Sequence, residues 1–300
     1  MRTFALVQEL KARLALADQP ARADAAPPAR PGDGRSGFVP RLHPPAAPRD
    51  PALLERLVRS TVARIGVGRA GTRLRTTTLL EFLAGRAVAV DAVQSQLPDG
   101  FERTIGAKAY VKTKAKDLEE FLFHPEKGRS LDEQALAEVT RACKTGVDVQ
   151  LIVGDGLSAK AVVENAPPFV KAFVAEAQRL GLSVGDVVLA RHARVKLMDQ
   201  IGAALAARTA VILVGERPAL GTGDGMSAYF MFGPRAEAMD SDREMVSNIN
   251  VRAFKPEEAA KRVAANVAEF IRVGSSGVKR QAKSADPAQD RAGALAAVAR

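Results

Sequence analysis

Three hundred residues contain one cysteine, three histidines, two tyrosines and no tryptophan. The lone thiol, Cys143, excludes an intramolecular disulfide and a cysteine-built zinc site, and it fits a reducing compartment, so a cytosolic location is expected. His43, His124 and His192 are scattered without a His-x-x-x-His spacing, so no metal centre is expected. No stretch approaches the roughly 18 apolar residues of a membrane span, since the best candidate, 203–214, is broken by Arg208 and Thr209. The amino terminus also lacks the apolar core of a secretory signal. Aromatic residues make up 5% of the chain, which leaves little for bases to stack on and argues against nucleic acid as the partner.

What is present is a hydrophobic fraction of 47%, enough for one sizeable core or two modest ones, and a net charge of +10 carried mostly by arginine. Guanidinium groups suit phosphates and carboxylates, so an acidic partner or an anionic ligand is expected.

Composition changes along the chain. In residues 1–19, Phe4, Val7, Leu10 and Leu14 recur at helical spacing opposite Arg2, Glu9 and Arg13. This reads either as a short amphipathic docking peptide or as a terminus with accidental periodicity. Residues 20–50 are rich in Pro and Ala and read as a disordered linker. Residues 51–146 form a mainly helical region, with Ser130 and Glu133 placed as a capping box for a helix over 131–143. Residues 147–273 change texture. Apolar runs at 149–153, 187–190 and 211–214 alternate with helical stretches at 167–180 and 198–208, the pattern of a parallel-sheet, Rossmann-like α/β domain with crossover helices. Residues 274–300 read as a loose basic tail.

Three motifs stand out. Arg64-Ile65-Gly66-Val67-Gly68-Arg69-Ala70-Gly71 combines glycines with cations that would fit a phosphate or a partner carboxylate; it is neither a P-loop nor a dinucleotide fingerprint, and by composition alone it reads as a glycine-punctuated turn with a solvated arginine face. Asp155-Gly156-Leu157-Ser158 follows the first apolar strand. It lacks the second glycine of a nucleophile elbow, so Asp155 is expected to cap the next helix with Ser158 in its first turn. Gly215-Glu216-Arg217-Pro218 follows the third strand, where ligands of open α/β sheets collect, and Glu216 either accepts from a bound ligand or pairs with Arg194 or Arg217.

The order and spacing of these motifs resemble the small-subunit family of ethanolamine ammonia-lyase. So do Asp91-Ala92-Val93, Arg194-Val195, Asp199-Gln200-Ile201-Gly202, Asp224 with Tyr229, and Ser247-Asn248-Ile249, which together span roughly residues 53–272. The resemblance implies a lyase subunit that closes over adenosylcobalamin held with a large subunit, converting ethanolamine to acetaldehyde and ammonia. It implies catalytic residues in the large subunit, and cofactor contacts here from Arg194, Glu216 and Met245, the last standing where the family has cysteine. Helix-and-linker extensions like residues 1–50 imply docking into a bacterial microcompartment. A second class stays open, a non-catalytic scaffold of the same fold that uses its basic surface for a partner.

Overall fold

The computed structural model describes residues 48–60, 64–220 and 223–284. The helix expected at 1–19, nearly all of the 20–50 linker and residues 285–300 of the tail lie outside the described residues. The chain divides into two compact units, Met1–Asp91 with Ala219–Thr222, and Ala92–Pro218 with Gly223–Arg300.

The first unit opens with helix α1 (Pro51–Ser60). Asp50 accepts the Leu53 amide at 2.9 Å, and Pro51 sits at the first helical position, where its missing N–H costs nothing. The arginine-and-glycine motif ends in a small hairpin, β1 (Arg69–Ala70) and β2 (Arg73–Leu74), in which Arg69 pairs with Leu74. Gly71 takes a φ of +62° at the first central position of the two-residue turn, which a side chain would strain. Arg69 and Arg73 are exposed at this glycine turn, as read from the sequence, whereas Arg64 is half-buried with Nε and Nη2 shielded from solvent. Helix α2 (Thr76–Gln94) follows.

The second unit runs α3 (Phe101–Thr104), β3 (Ala107–Lys112), α4 (Leu118–Phe123), α5 (Glu133–Ala142), β4 (Val149–Gly154), α6 (Ala159–Arg179), β5 (Val187–Arg191), α7 (Leu197–Ala204), β6 (Thr209–Gly215), β7 (Met226–Phe232), β8 (Arg243–Ile249), α8 (Pro256–Val273) and α9 (Gly277–Ser284). Its six-stranded sheet has the order β3-β5-β4-β6-β7-β8. The first four strands are parallel and β7 is antiparallel to both of its neighbours, so the α/β expectation holds with a mixed rather than purely parallel sheet.

Topology dictates where the helices go. The step from β4 to β5 moves one way along the sheet, and the step from β5 to β6 moves back past β4. Right-handed crossovers then force the two connecting helices onto opposite faces. Accordingly α6 and α8 pack on one face over Leu151, Val153, Val211 and Leu213, with Phe169, Phe173, Phe230 and Phe270 fully buried among them. On the other face α5 and α7 cover Ile152, Val188, Ala190 and Ile212. Each fully buried phenylalanine is worth about 1.5–3 kcal/mol in transfer free energy. Every residue of β4 and β6 is buried, which is why both read as continuous apolar runs.

Several local expectations are corrected. The stretch expected to be mainly helical contributes strand β3. Helix α5 is capped by Asp132, whose carboxylate accepts the Ala135 amide at 2.8 Å, rather than by Ser130. Helix α6 starts at Ala159, three residues later than a cap at Asp155 would place it, and contains Pro167 and Pro168. The two missing N–H groups fall opposite the carbonyls of Val163 and Glu164, residues on the less buried side of the helix. Residues 277–284, read from the sequence as part of a loose tail, form helix α9 instead. Helix α9 is tied to the sheet by Arg280, which grips Glu244 at 2.7 and 2.8 Å, and by Lys279 with Asp242 at 3.0 Å.

Glycines weld the strand ends together. A Cβ on Gly215 would lie 2.1 Å from the Ser158 carbonyl oxygen, and one on Gly156 would lie 2.4 Å from the Gly215 oxygen. Gly215→Ala is therefore expected to cost about 3 kcal/mol through backbone displacement. Gly181→Ala, penalised only by its φ of +75° in open space, should cost about 1 kcal/mol. Urea unfolding of the two variants compares them, and equal losses would contradict the weld.

Candidate functional site

Asp155 sits just beyond β4, where the connections from β4 and β5 diverge to opposite faces. Such a switch point leaves a crevice at the strand ends. Its carboxylate does not cap α6. Oδ2 accepts the His192 amide at 3.0 Å and Oδ1 accepts the Ala193 amide at 3.1 Å, clamping the turn after β5. Ser158 is the cap instead, accepting the Ala161 amide at 3.2 Å and donating to the Gly223 carbonyl at 2.7 Å. The clamp holds His192 at a φ of +58°, a conformation that costs a non-glycine residue about 1 kcal/mol or more. Burial pushes the Asp155 carboxyl up to about 6, opposed by the amides it accepts from and by the charge of Arg191. Burial pushes His192 down to about 4, and the charges of Lys112 and Arg191 add to the effect, so its imidazole is neutral at pH 7.

Two residues beyond His192, the clamped turn presents Arg194. Its amide donates to the Gly128 carbonyl at 2.8 Å, its Nη2 donates to the Phe121 carbonyl at 2.9 Å, and its guanidinium lies 4.2 Å above the Phe121 ring. Gly128 is required here, since a Cβ would come within 2.8 Å of both Arg194 Cγ and the His192 carbonyl. Arg194 Nε is buried without a hydrogen-bond partner. Burial lowers the Arg194 pKa, as do the nearby charges of Arg217 and Arg129, while the group stays a cation.

Glu216 continues β6, its amide donating to the Gly225 carbonyl at 2.9 Å. Its Oε1 accepts the Ser227 hydroxyl and the Asn248 amide, the latter at 2.8 Å, so neither Arg194 nor Arg217 is its partner. Asn248 has a φ of +56°, and the bond to Glu216 anchors it there. No hydrogen bond among the described residues reaches Glu216 Oε2. Met245 pairs with Tyr229 across β7 and β8 and is 52% exposed. Strand alternation places Glu216, Ser227, Tyr229 and Met245 on the α7 face of the sheet, as Tyr229 packs against the core beneath α7. Burial raises the Tyr229 pKa, helped by the Glu216 and Asp240 charges. The structure thus gathers Glu216 and Met245 on one open shelf, with Arg194 on the loop that leads into the helix of the same face. Ser227, Phe121 and Gly128 were not singled out from the sequence; they meet the site only through strand pairing and loop packing.

The hydroxyl of Ser158 is committed to capping, and the His192 ring packs on Phe121 with centroids 5.6 Å apart. Among the described residues no cluster of His, Cys, Asp or Glu could hold a metal ion, and no helix is long and apolar enough to cross a membrane. Fold and site together define a Rossmann-like α/β protein whose strand ends offer hydrogen-bonding groups over an open shelf, rather than a nucleophile paired with a base.

Comparison with known proteins makes this class specific. The family profile described as ethanolamine ammonia-lyase light chain (EutC) matches residues 51–280. The chain is 38% identical over 226 residues to the ethanolamine ammonia-lyase small subunit of Clostridium acetobutylicum, an alignment covering 75% of this chain and 93% of that protein. The chain belongs to the ethanolamine ammonia-lyase light-chain family.

The buried clamp has a pH signature. The Asp155 carboxyl rises from an ordinary 3.8 to about 6 on folding, so the folded state holds a proton that the unfolded chain has released. The stability this contributes is complete below about pH 4 and is lost as pH rises through 6, amounting to roughly 3 kcal/mol. Asp155→Asn should flatten that part of the pH profile of urea unfolding, and an unchanged slope between pH 4 and 6.5 would refute the assignment.

Proposed function

We propose that the chain is the small subunit of an adenosylcobalamin-dependent ethanolamine ammonia-lyase, closing over a corrinoid held jointly with a large catalytic subunit. The observation that carries this reading is Glu216, a carboxylate fixed through one oxygen at the end of β6 while the other faces no internal donor. A corrin rim bears amide groups, and an anchored carboxylate accepts an amide N–H without reorganising. The orphaned Nε of Arg194 offers a donor on the neighbouring loop, and half-exposed Met245 offers apolar contact, so the residues present fit such a group. When bound, adenosylcobalamin supplies homolysis of its cobalt–carbon bond, the source of the radical that rearranges ethanolamine to acetaldehyde and ammonia. This chain's residues bind and orient: Arg194 and Glu216 fix the rim, Met245 covers it, and the shelf limits access of water.

A large partner is supported by the first unit, where Leu53, Leu57, Leu79, Phe82 and Val90 are all exposed. Helix α2 has no single polar face, so its exposed Leu79, Phe82 and Val90 lie between polar residues where burial in an assembly would cover them. The docking role read for residues 1–19, and with it a cytoplasmic microcompartment setting, belongs to the same proposal. The second reading, a non-catalytic scaffold, is favoured by the methionine at position 245 in place of the family's cysteine.

Coexpression with the large subunit should give a stable complex whose visible spectrum changes when adenosylcobalamin and ethanolamine are added, with release of acetaldehyde. A stable complex that binds no corrinoid would establish the scaffold instead. In the active complex Glu216→Gln should weaken corrinoid binding by about 1–3 kcal/mol, roughly 5- to 150-fold. Unchanged affinity would return Glu216 to holding Asn248 and nothing more.

A further inference from the structure

Beyond the shelf, the carboxyl ends of β3, β5 and β4 border a separate cavity of about 210 Å³. Lys112, Lys116, Arg191 and His192 contribute to its wall, together with Asp117, Asp155 and the first residue of α6, Ala159. Lys112 ends β3 and Arg191 ends β5, and in the register of these hydrogen-bonded neighbours the two residues are partners. Two cations nearly 80 residues apart in sequence are thus held side by side at the rim.

The carboxylates in the wall are already engaged. Both Asp155 oxygens accept backbone amides, and Asp117 caps α4 by accepting the Glu120 amide at 2.8 Å. The cations keep donors to spare. Lys112 donates to the Lys116 carbonyl, and Arg191 Nη2 donates to Gln96 Oε1 at 2.6 Å, one bond each for groups with three and five N–H donors. Lys116 lies 4.0 Å from Glu120, whose carboxylate is itself paired with Lys127.

The independent observation is His192. It is only 7% exposed, lies in the field of Lys112, Arg191 and Asp117, and its Nδ1 has no hydrogen-bond partner. A buried ring nitrogen left unpaired is destabilising, and in its Nδ1–H tautomer it would donate to an oxygen of a bound ligand. The positive end of the α6 dipole adds to the same field, although the Lys160 and Ala161 amides are already taken by Ser95 and Ser158.

We propose that this cavity is a site for a phosphate group, gripped by Lys112, Lys116 and Arg191 and hydrogen-bonded by His192. Its volume accommodates a phosphate with a few attached atoms and excludes a macrocycle. Two sources share that chemistry, a free small phosphate ester and the phosphodiester in the nucleotide tail of a corrinoid held on the neighbouring shelf.

The chain has only three histidines, so the test uses the full-length protein with isotope-labelled histidine, titrated with inorganic phosphate at constant ionic strength against chloride. His43→Gln and His124→Gln assign the signals. The His192 ring resonances should shift saturably while those of His124 do not, and Lys112→Gln and Arg191→Gln should each weaken the effect by about tenfold. Circular dichroism checks that both variants fold. A phosphate response no greater than that of chloride, or two folded variants that bind phosphate like the parent, would overturn the proposal. In the complex with the large subunit, displacement of phosphate by cobalamin but not by tail-less cobinamide assigns the site to the corrinoid tail, and displacement by neither assigns it to a free ester. Because the phosphate titration needs neither large subunit nor corrinoid, its failure is distinguishable from failure of the reading it stands beside.

Discussion

A carboxylate buried at the point where the sheet's winding reverses organises this molecule. Asp155 gives both oxygens to the backbone of the turn after β5, and it does so against the cost of desolvation. Strand ends approach that closely because glycines line the junction. A Cβ on Gly154 would meet Ala193 at 2.5 Å, and Gly156 and Gly215 press against each other's backbone. Two of the candidate site residues hang from this joint. Arg194 rides on the clamped turn, and Glu216 is the residue after Gly215.

From the joint outward, the two halves of the sheet present different surfaces for a topological reason. Parallel strands need crossover helices, which close over both faces of β3 to β6. The antiparallel β7 and β8 are reached by shorter connections, so part of the α7 face is left with Tyr229 half-buried and Met245 open. That uncovered portion is the shelf on which Glu216 stands. On the parallel side the crossover from β4 brings the start of α6 beside the ends of β5 and β3, and a small basic cavity results. One surface is broad and mixed in polarity, the other confined and cationic.

Much of this was legible before any coordinates. Strands β4, β5 and β6 are almost wholly buried, so their sequences are apolar runs that announce themselves. Strand β3, Ala-Lys-Ala-Tyr-Val-Lys, is a half-exposed edge whose buried positions include an alanine, and it sits in a stretch of helical composition. Strands β7 and β8 belong to the antiparallel half and lack the flanking helical pattern that marked the others. Two helix caps fall on a near neighbour of the residue the sequence pattern points to, Asp132 rather than Ser130 and Ser158 rather than Asp155. In the second pair another segment decides the choice: Asp155 is claimed by the turn after β5, and the hydroxyl of Ser158 is left for the helix.

By itself the sequence determined the class of fold, the strand ends at which Arg194 and Glu216 would stand, and the family, because burial periodicity and motif spacing are properties of the linear chain. Only the tertiary structure decided what each side chain meets. Glu216 holds Ser227 and Asn248 rather than an arginine, Arg194 keeps an unpaired nitrogen above Phe121, and Lys112 and Arg191 become neighbours. Those contacts follow from strand order, which is set when the two faces of the sheet are buried together. Order in space is a cooperative outcome of packing, and no local stretch of sequence carries it alone.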